Sequence, residues 1–412
     1  MQTCVIIGGG HAGAQACAQL RKQGWDGKIV LLGNEASLPY HRPPLSKGYL
    51  QGNLSPAQLL IRPATAYQQD QITTILDCRV TSINPAKHEV ELADGSHIKF
   101  DKLMLCTGSR ARRLNVPGAD LAGVYYIKTL LDIEHIAMHL AEHPGIKHIG
   151  MIGGGYIGLE TAAVLREMGH EVRIFEREAT LLSRVTSPIV SAFYHKLHHQ
   201  KGVQIETQKQ IAALKGERGV ETLVCSDGSQ YPVDLVIVGV GAIANTELAE
   251  QAGLLVEGGV VVNEHCQTSH PDIYAAGDCT VQVEHHSSLA TRIESVPNAL
   301  EQAKAAAAAI CGKPTAITAV PWFWSDQYHC KIQIAGLNHG FDRAVVRQYP
   351  NSEQFSVWYL KDGKIIAVDC INSAKDFMLG KRLVALKAQV PAKVLKDPNS
   401  QLTDWLTHAA TI

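Results

Sequence analysis

The stretch Cys4-Val-Ile-Ile-Gly-Gly-Gly-His-Ala-Gly13 joins an apolar run directly to a glycine-rich turn. An alanine-rich segment follows, and a second apolar run, Lys28-Ile-Val-Leu-Leu32, comes after it. This order predicts a strand, a turn, a helix and a second strand, which together form the βαβ unit of a parallel sheet. Glycines at the first and third positions of such a turn let the backbone approach a pyrophosphate at the positive end of the helix.

The same unit recurs in the middle of the chain. Ile149-Gly-Met-Ile152 leads into Gly153-Gly-Gly-Tyr-Ile-Gly158, and a helix over 159–168 and a strand over 172–175 are predicted to follow. Each copy continues to an Asp-Gly turn and then to an apolar strand that ends in glycine: Asp94-Gly95 with Asp101–Gly108, and Asp227-Gly228 with Asp234–Gly241. One glycine turn is a weak signal, but two with shared landmarks indicate two homologous domains. The predicted fold class is therefore α/β, with two Rossmann-like nucleotide-binding domains.

An acidic residue at the end of the second strand of each unit is expected to accept the ribose hydroxyls of a dinucleotide. In the second copy this residue is Glu176, which favours NADH because it repels the additional phosphate of NADPH. In the first copy the sequence reads Gly33-Asn34-Glu35, so either Asn34 or Glu35 takes this position. A third landmark, Asp278, precedes a helix predicted over 298–311, and it either binds a polyol or caps that helix.

Composition and charge exclude several classes of protein. Lys and Arg (38) nearly equal Asp and Glu (39), so the net charge of −1 offers no polycationic surface for nucleic acid. No stretch approaches the roughly 18 consecutive apolar residues of a membrane helix. The first residues contain no secretory signal pattern, which predicts a cytoplasmic protein. The ten cysteines stand in no CxxC spacing, which disfavours zinc ribbons and a CxxC dithiol.

After Pro314 the chain changes to alternating, aromatic-rich runs that predict an antiparallel sheet. The runs are Pro321–Tyr328, Lys331–Ala335, Phe355–Leu360 and Ile365–Asp369, and a helix is predicted over 374–386. This region is therefore expected to form a third, smaller domain of the α+β class.

Four longer segments resemble the FAD-dependent, NADH-oxidising ferredoxin reductases of oxygenase systems. They are PYHRPPLSK (39–47), GGGYIGLE (153–160), RIESVPNALEQ (292–302) and WFWSDQY (322–328). The resemblance covers essentially the whole chain and implies a glutathione-reductase-like fold, in which an FAD-binding domain is interrupted by an NADH-binding domain. The implied boundaries are 1–109 and 245–320 for the FAD-binding domain, 110–244 for the NADH-binding domain and 321–412 for the C-terminal domain.

The resemblance also implies contacts with both nucleotides. Carried over position by position, the FAD-binding residues are Gly8, Gly10, Ala12, Gly13, Asn34, Glu35, Arg42, Lys47, Val80, Thr107, Gly108, Lys128, Asp278 and Val296, and the NADH-binding residues are Gly153, Gly155, Gly158, Glu160, Glu176 and Gly241. Lys128 stands where relatives usually carry an FAD-contacting arginine, so the positive charge is kept and the bidentate fork is lost.

Four residues are implied in electron transfer. Lys47 is placed near the flavin N5 and paired with Glu160, which is expected to accept the carboxamide NH₂ of the nicotinamide. Tyr156 is expected to cover the flavin ring and to swing aside for NADH, and Trp324 to screen the flavin. Taken singly, a solvated lysine, a helix-surface acid and a core tryptophan are the ordinary interpretations of Lys47, Glu160 and Trp324.

The cysteine pattern also bears on how electrons leave. Disulfide reductases of this fold use a CxxC or CxxxxC dithiol, and the sequence contains neither. Electrons are therefore expected to pass directly from FAD to a [2Fe-2S] ferredoxin, which serves a haem-thiolate monooxygenase or a ring-hydroxylating oxygenase. The alternatives are a rubredoxin reductase, an NADH oxidase or, from a different class, a redox-sensing interaction protein similar to apoptosis-inducing factor.

The remaining polar features suggest less. Arg292, Lys331, Arg343 and Arg347 are candidate docking charges, although single surface charges are usually only solvated. No metal site is predicted: His195 and His199, four residues apart on a predicted helix, and the pair His285-His286 are interpreted as solvated. The expected assembly is a monomer or a weak homodimer, with neither membrane nor nucleic acid as a partner.

Overall fold

The structure, a computed structural model, describes residues 1–283, 290–350 and 352–408. The chain forms two compact units, each built from three separate segments. Unit 1 comprises Met1–Arg42, Ser55–Arg110 and Ala242–Ala319, and unit 2 comprises Pro43–Leu54, Ala111–Gly241 and Val320–Ile412. Within the described residues, no helix is both long enough and apolar enough to cross a membrane.

Unit 1 is organised around a five-stranded parallel sheet whose strands are almost entirely apolar, as expected of strands covered on both faces. In sheet order the strands are Ile273–Ala275, Lys102–Leu105, Thr3–Ile7, Lys28–Leu32 and Ile72–Ile75. The helix His11–Gln23 packs against the helix Val296–Ile310, whose buried alanines permit a close approach. The second helix begins at Val296 rather than at 298, because Ser295 caps it by accepting a hydrogen bond from the backbone N–H of Asn298.

The other elements of unit 1 are short. Two small three-stranded sheets are formed by Val80–Asn84, Glu89–Leu92 and His97–Lys99, and by Val260–Val262, Thr280–Val283 and Ala290–Thr291. The short helices are Pro56–Leu59, Ala64–Gln69 and Glu247–Gln251. The strands Ser109–Ala111 and Ala242–Ala244 pair at the positions where the chain leaves unit 1 and later resumes it.

Unit 2 repeats the plan of unit 1. Its five-stranded parallel sheet has the order Gln204–Glu206, Glu171–Phe175, His148–Ile152, Leu235–Val238 and Val124–Tyr126. The accompanying helices are Leu130–Glu142, Tyr156–Glu167 and Pro188–Gln200, and a three-stranded sheet is formed by Ile211–Lys215, Thr222–Cys225 and Gln230–Pro232. The helix predicted over 159–168 begins earlier, at Tyr156, because its N-cap is Gly155 and Gly158 lies inside its first turn.

The two Asp-Gly turns confirm the repeat at atomic detail. In each unit the Asp is followed by Gly and Ser, and the Asp Oδ1 accepts hydrogen bonds from both the backbone N–H and the hydroxyl of that Ser. The glycines, Gly95 and Gly228, have φ angles of 81° and 85°, which favour glycine. The same three-residue turn therefore closes a hairpin in each of the two homologous regions.

The C-terminal part of unit 2 is an antiparallel sheet with helices, which confirms the predicted α+β region and, with the two parallel sheets, the predicted fold class. In sheet order its strands are Trp322–Gln327, Cys330–Gly336, Lys364–Ile371, Phe355–Lys361 and Arg343–Gln348, and its helices are Ala374–Ala385, Ala392–Lys396 and Asp404–His408. The strand Arg343–Gln348 was not predicted, because its arginines and glutamine interrupt the apolar alternation.

Candidate functional site

The first glycine turn, residues 8–13, has two positions that only glycine can occupy. Gly8 has φ +119°, and a Cβ there would lie 2.0 Å from the carbonyl oxygen of Cys106. A Cβ on Gly13 would lie 2.0 Å from the carbonyl oxygen of Gly8. Gly10 is the N-cap of the helix His11–Gln23 and makes no side-chain cap, and a Cβ built on it meets nothing within 4 Å. The turn therefore presents the helix N-terminus toward open space, which fits the pyrophosphate of a dinucleotide.

The acidic candidates of unit 1 differ in exposure and in partners. Asn34 is exposed, whereas Glu35 is half-buried and forms an ion pair with Arg42 at 2.6 Å between Oε1 and Nη2. The Tyr40 hydroxyl donates to Glu35 Oε2 at 2.6 Å, and the Arg42 guanidinium lies 5.0 Å from the centroid of the Tyr40 ring. Of the two residues left open by the sequence, Glu35 is thus the one held in place.

A second group in unit 1 surrounds Asp278. The Ser109 hydroxyl donates to Asp278 Oδ2 at 2.8 Å, and Gln302 Oε1 accepts from the backbone N–H of Gly277 at 2.8 Å. Thr107 and Asn245 bond each other twice, through the Thr107 hydroxyl and the Asn245 amide. Ser109, Gln302 and Asn245 were not predicted, because each is an ordinary polar residue outside any glycine turn.

The remaining predicted FAD-binding residues lie at ends of elements. Ala12 is 6% exposed and Val80 is 7% exposed, whereas Val296 and Lys128 are half-buried. Gly108 has φ +64° with open space beside it. Lys128 and Lys47 belong to unit 2, and the others belong to unit 1.

The second glycine turn, residues 153–158, reproduces the first. Gly153 has φ +106°, with a Cβ position 2.4 Å from the carbonyl oxygen of Gly239, and a Cβ on Gly158 would lie 2.2 Å from the carbonyl oxygen of Gly153. Gly155 is the uncapped N-cap of the helix Tyr156–Glu167, and nothing lies within 4 Å of a Cβ built on it. This turn therefore also fits a pyrophosphate.

Glu176 lies directly beside the second glycine turn. Its Oε2 accepts from the backbone N–H of Gly154 at 2.7 Å, and its Oε1 accepts from the backbone N–H of Glu178 at 2.8 Å. These bonds orient the carboxylate at the end of the strand Glu171–Phe175, where a ribose is expected in this fold. Gly241, which is also predicted to contact NADH, has φ +100° and lies shortly after the strand Leu235–Val238.

Lys47 and Glu160, which the resemblance pairs, form an ion pair in unit 2, with Nζ and Oε2 2.6 Å apart. Lys47 belongs to a kinked helical turn, Leu45–Tyr49. The Ser46 hydroxyl donates to Glu160 Oε2 at 2.8 Å, and the Ser325 hydroxyl donates to Oε1 at 2.6 Å. Glu160 is 5% exposed, so among the described residues this cluster is a buried carboxylate with three donors, one of which is the Lys47 ammonium.

Trp324 belongs to the strand Trp322–Gln327 of the C-terminal sheet, and Tyr156 packs against the same strand. The Tyr156 ring packs on Phe323 with the ring centroids 4.7 Å apart, and Trp324 contacts Trp322 at 5.6 Å. Among the described residues, the buried Tyr156 hydroxyl has no hydrogen-bond partner, and burial raises its pKa well above the ordinary value. Movement of the Tyr156 ring would therefore break no hydrogen bond of its hydroxyl to a described residue.

The sequence missed a group of buried residues that lead away from Glu160. Ser325, Gln327 and His198 are each 0% exposed and are joined to one another by hydrogen bonds. Ser325 and Gln327 lie in the segment 322–328 that carries the resemblance, and His198 lies beside His195 and His199, but none of the three was assigned a role from the sequence. His195 and His199 are exposed, as predicted, whereas His198 points into the protein.

Arg347 is wrong as a candidate docking charge. It is 3% exposed, and its guanidinium donates to the backbone carbonyls of Val394, Leu395, Asp397, Pro398 and Ser400. Arg347 therefore holds the C-terminal segment in place instead of facing a partner. Of the other candidates, Lys331 pairs with Asp326, Arg292 pairs with Glu294, and Arg343 is exposed.

One group of potential metal ligands occurs among the described residues, namely His329, Cys330 and Glu353. His329 Nε2 lies 2.5 Å from Glu353 Oε2, and the Cys330 thiol donates toward the same oxygen at 3.9 Å. These mutual contacts account for the grouping without an ion. The pair His285-His286 lies outside the described residues.

Comparison with known proteins relates this chain to reductases. The family model described as pyridine nucleotide-disulphide oxidoreductase matches residues 2–303, and the model described as reductase C-terminal matches 322–406. The chain is 40% identical to a ferredoxin–NAD(P)(+) reductase from Sphingomonas, covering 98% of this chain and 97% of the relative. It is 41% identical to putidaredoxin reductase CamA from Pseudomonas putida, covering 98% and 97%. The crystal structure of the covalent putidaredoxin reductase–putidaredoxin complex superposes with a TM-score of 0.94 at 40% identity, covering 100% of this chain and 99% of that chain.

Proposed function

The chain belongs to the pyridine nucleotide-disulphide oxidoreductases that carry a reductase C-terminal domain, and from this premise we propose that it is an FAD-dependent NADH:ferredoxin oxidoreductase. It takes a hydride from NADH and passes single electrons to a [2Fe-2S] ferredoxin. That ferredoxin serves a haem-thiolate monooxygenase or a ring-hydroxylating oxygenase. We place the enzyme in the cytoplasm, as a monomer or weak homodimer.

The observation that carries this proposal is the ion pair of the half-buried Lys47 with the buried Glu160 in a chain without a redox dithiol. All ten cysteines are free, and burial raises the pKa of the Cys4, Cys106 and Cys279 thiols, which keeps them protonated and unreactive. A disulfide reductase needs a reactive thiol pair, whereas a ferredoxin reductase does not. The carboxylate–lysine pair is instead suited to positioning a nicotinamide and balancing charge on a reduced flavin.

We propose that the two glycine turns divide the nucleotides between them. The first turn, in a domain of residues 1–109 and 245–320, binds FAD, and the second, in residues 110–244, binds NADH; residues 321–412 form the C-terminal domain. The open space beside Gly10 and Gly155 at two uncapped helix N-termini supports the binding of one nucleotide at each turn. When bound, FAD supplies two-electron acceptance from NADH and one-electron donation to the ferredoxin.

The protein side chains then bind, orient and exclude water. Glu35 and Glu176 accept from ribose hydroxyls, and Asp278 accepts from the ribityl chain. Glu160 accepts from the nicotinamide carboxamide and thereby orients the ring, while the Lys47 ammonium stabilises negative charge nearby. Tyr156 covers the reaction site until NADH enters, and Trp324 screens it from solvent.

The overall activity is tested by reduction of cytochrome c with NADH in the presence and absence of a [2Fe-2S] ferredoxin. We expect reduction to depend on the ferredoxin and to weaken as ionic strength rises, because charge contributes to docking. A rate that is independent of ferredoxin would indicate an NADH oxidase, and preference for added rubredoxin would indicate a rubredoxin reductase. A flavin that NADH reduces only sluggishly, into a long-lived complex, would favour the redox-sensing alternative.

The roles of Lys47 and Glu160 are tested by Lys47→Ala and Glu160→Ala. Both variants should retain FAD, and stopped-flow absorbance should show flavin reduction by NADH slowed by about tenfold or more, as loss of a charge-assisted hydrogen bond implies. Glu134→Ala is the matched control, because Glu134 also accepts a hydrogen bond from a residue of the Leu45–Tyr49 turn but is exposed. Unchanged reduction rates in the two test variants would contradict these roles.

A further inference from the structure

A buried chain of hydrogen bonds runs from the helix Pro188–Gln200 to Glu160. His198 Nε2 lies 2.8 Å from Gln327 Oε1, Gln327 Nε2 lies 3.2 Å from Ser325 Oγ, and Ser325 Oγ lies 2.6 Å from Glu160 Oε1. Ser325 and Gln327 are two residues apart on one strand, so both side chains point to the same buried face. Three different elements thus contribute to one continuous polar path.

The direction of every bond in this chain is fixed by its last member. An ionised carboxylate only accepts hydrogen bonds, so the Ser325 hydroxyl donates to Glu160. Ser325 Oγ must then accept from the Gln327 amide, which leaves Gln327 Oε1 to accept from His198. All three donors therefore point toward Glu160.

His198 can fill this donor role at neutral pH without adding charge. Burial lowers its pKa, the bond to Gln327 partly opposes this shift and the nearby His195 adds to it, so that the pKa is about 4. The imidazole is therefore neutral, with its proton on Nε2, where the chain requires a donor. A neutral donor polarises Gln327 and Ser325 toward the carboxylate without competing with Lys47 for it.

This chain of hydrogen bonds orients Glu160, because the rotamer of a glutamate does not by itself fix the plane of its carboxylate. The last torsion of a glutamate is broad and nearly two-fold, so neighbours must fix the orientation of Oε1 and Oε2. Ser46 and Lys47 bond Oε2, and Ser325 alone among the described residues bonds Oε1. The Ser325 hydroxyl hydrogen can rotate unless Ser325 Oγ also accepts a hydrogen bond. Gln327 donates that bond, and His198 in turn fixes the Gln327 amide.

The acceptor positions of Glu160 also show that the Ser325 bond sets the orientation of its carboxylate. A carboxylate offers about four lone-pair sites, two on each oxygen. Within the described part of the chain, Oε2 takes two donors and Oε1 takes one, so the site left over is on Oε1. Its direction is set by the Ser325 bond.

We propose that Ser325, Gln327 and His198 are positioning residues that aim the free lone pair of Glu160 Oε1 at the carboxamide NH₂ of the nicotinamide. This inference rests on the proposed function of Glu160. It assigns the selectivity for a carboxamide-bearing ring to residues that act through Glu160.

The test compares NADH with reduced 3-acetylpyridine adenine dinucleotide, which has a methyl ketone in place of the carboxamide and so lacks its NH₂. Single-turnover flavin reduction is followed in the FAD-loaded protein, and the ratio of the two rate constants is taken for each variant. Ser325→Ala and Gln327→Leu should each lower the preference for NADH, by about tenfold for Ser325→Ala, which loses a bond to a charged group. His198→Leu should act in the same direction, whereas His198→Gln keeps a donor and should retain most of the preference.

Ser356→Ala is the matched control. Ser356 is a 0% exposed serine in the same sheet as Ser325, and its hydroxyl donates to a buried carboxylate, Asp376, at 2.6 Å. Ser356 is not part of the chain of hydrogen bonds that leads to Glu160. The preference in this variant should equal that of the wild type even if its melting temperature falls. If Ser325→Ala does not fold, Gln327→Leu and the His198 pair supply the same comparison.

The possible failures are distinguishable. If Glu160→Gln lowers the preference for NADH but Ser325→Ala, Gln327→Leu and His198→Leu do not, the positioning role is wrong and the role of Glu160 stands. If Glu160→Gln leaves the preference unchanged, the proposed contact of Glu160 with the carboxamide is wrong. Equal loss in Ser356→Ala would reduce the effect to general destabilisation and would also overturn the inference.

Discussion

The two glycine turns have nearly the same backbone and quite different surroundings. Gly8 and Gly153 have φ angles of 119° and 106°. A Cβ on either would clash with a backbone carbonyl oxygen, that of Cys106 or of Gly239 respectively. The acid beside the second turn, Glu176, bonds the backbone of that turn, whereas Glu35 beside the first is tied to Arg42 and Tyr40. The glycines thus fix the backbone of both turns, whereas the acid beside each turn has its own, different partners.

The largest expected effect comes from breaking each turn separately. Gly8→Ala should abolish FAD retention, and Gly153→Ala should retain FAD but slow reduction by NADH by more than about 100-fold, because a misplaced turn moves the bound nucleotide. Flavin absorbance per protein and stopped-flow reduction measure the two losses. Gly24→Ala and Gly169→Ala are the controls, since both positions have positive φ with nothing within 4 Å. They should cost about 1–2 kcal/mol of stability, because alanine is strained at positive φ, and leave nucleotide binding intact.

The buried ionisable groups sharpen the contrast between the two units. Burial raises the pKa of the Cys4, Cys106 and Cys266 thiols in unit 1, so they remain protonated through neutral pH. In unit 2, burial raises the pKa of Asp369 to about 6, although Thr186 and Tyr359 donate hydrogen bonds to it. Among the buried groups compared, those that titrate between pH 4 and 7 therefore lie in unit 2.

Asp369→Asn tests this difference. A raised folded-state pKa means that the contribution of Asp369 to stability is full below about pH 4 and is lost as the pH rises through about 6. His198, whose pKa is lowered to about 4, acts oppositely, and its contribution is lost as the pH falls from about 6.5 toward 4. Asp369→Asn should therefore match the wild type near pH 4 and exceed its free energy of unfolding by about 2 kcal/mol at pH 8.

Urea unfolding at several pH values measures this effect, and Asp376→Asn is the control. Asp376 is 1% exposed and has Arg347 Nε 3.7 Å from its Oδ1, so its neutralisation should destabilise the protein at pH 8. Equal destabilisation of both variants at pH 8 would show that Asp369 is stabilised as an anion, contrary to expectation.

The smallest effect is expected at the two acids beside the turns. Glu176→Gln should lower the ratio of kcat/KM for NADH over NADPH by about tenfold, because repulsion of the 2′-phosphate is removed. Glu35→Gln should leave this ratio unchanged and weaken FAD retention modestly. If both variants, or neither, change the ratio, the assignment of NADH to the second turn is wrong.

The sequence predicted whatever depends on local backbone rules. The two glycine turns, the Asp-Gly turns and the antiparallel C-terminal sheet follow from glycine conformations and apolar spacing, and they were located correctly. Pairings such as Ser325 with Glu160 join residues that are 165 positions apart and leave no local signal. Arg347 was misassigned for the same reason, since its carbonyl partners lie 47 or more residues away.

The interleaved segments of the two units have a consequence for synthesis on the ribosome. The sheet of unit 1 is completed at one edge by Ile273–Ala275, which pairs with Lys102–Leu105. The sheet of unit 2 needs only the contiguous strands from Val124 to Val238. A nascent chain can therefore close the second sheet first, while the first remains one strand short until late in translation. Over that interval the Lys102–Leu105 strand, three of whose four residues are apolar, is left with an unpaired edge. Until Ile273–Ala275 has been synthesised, this unpaired strand edge makes the nascent chain vulnerable to aggregation.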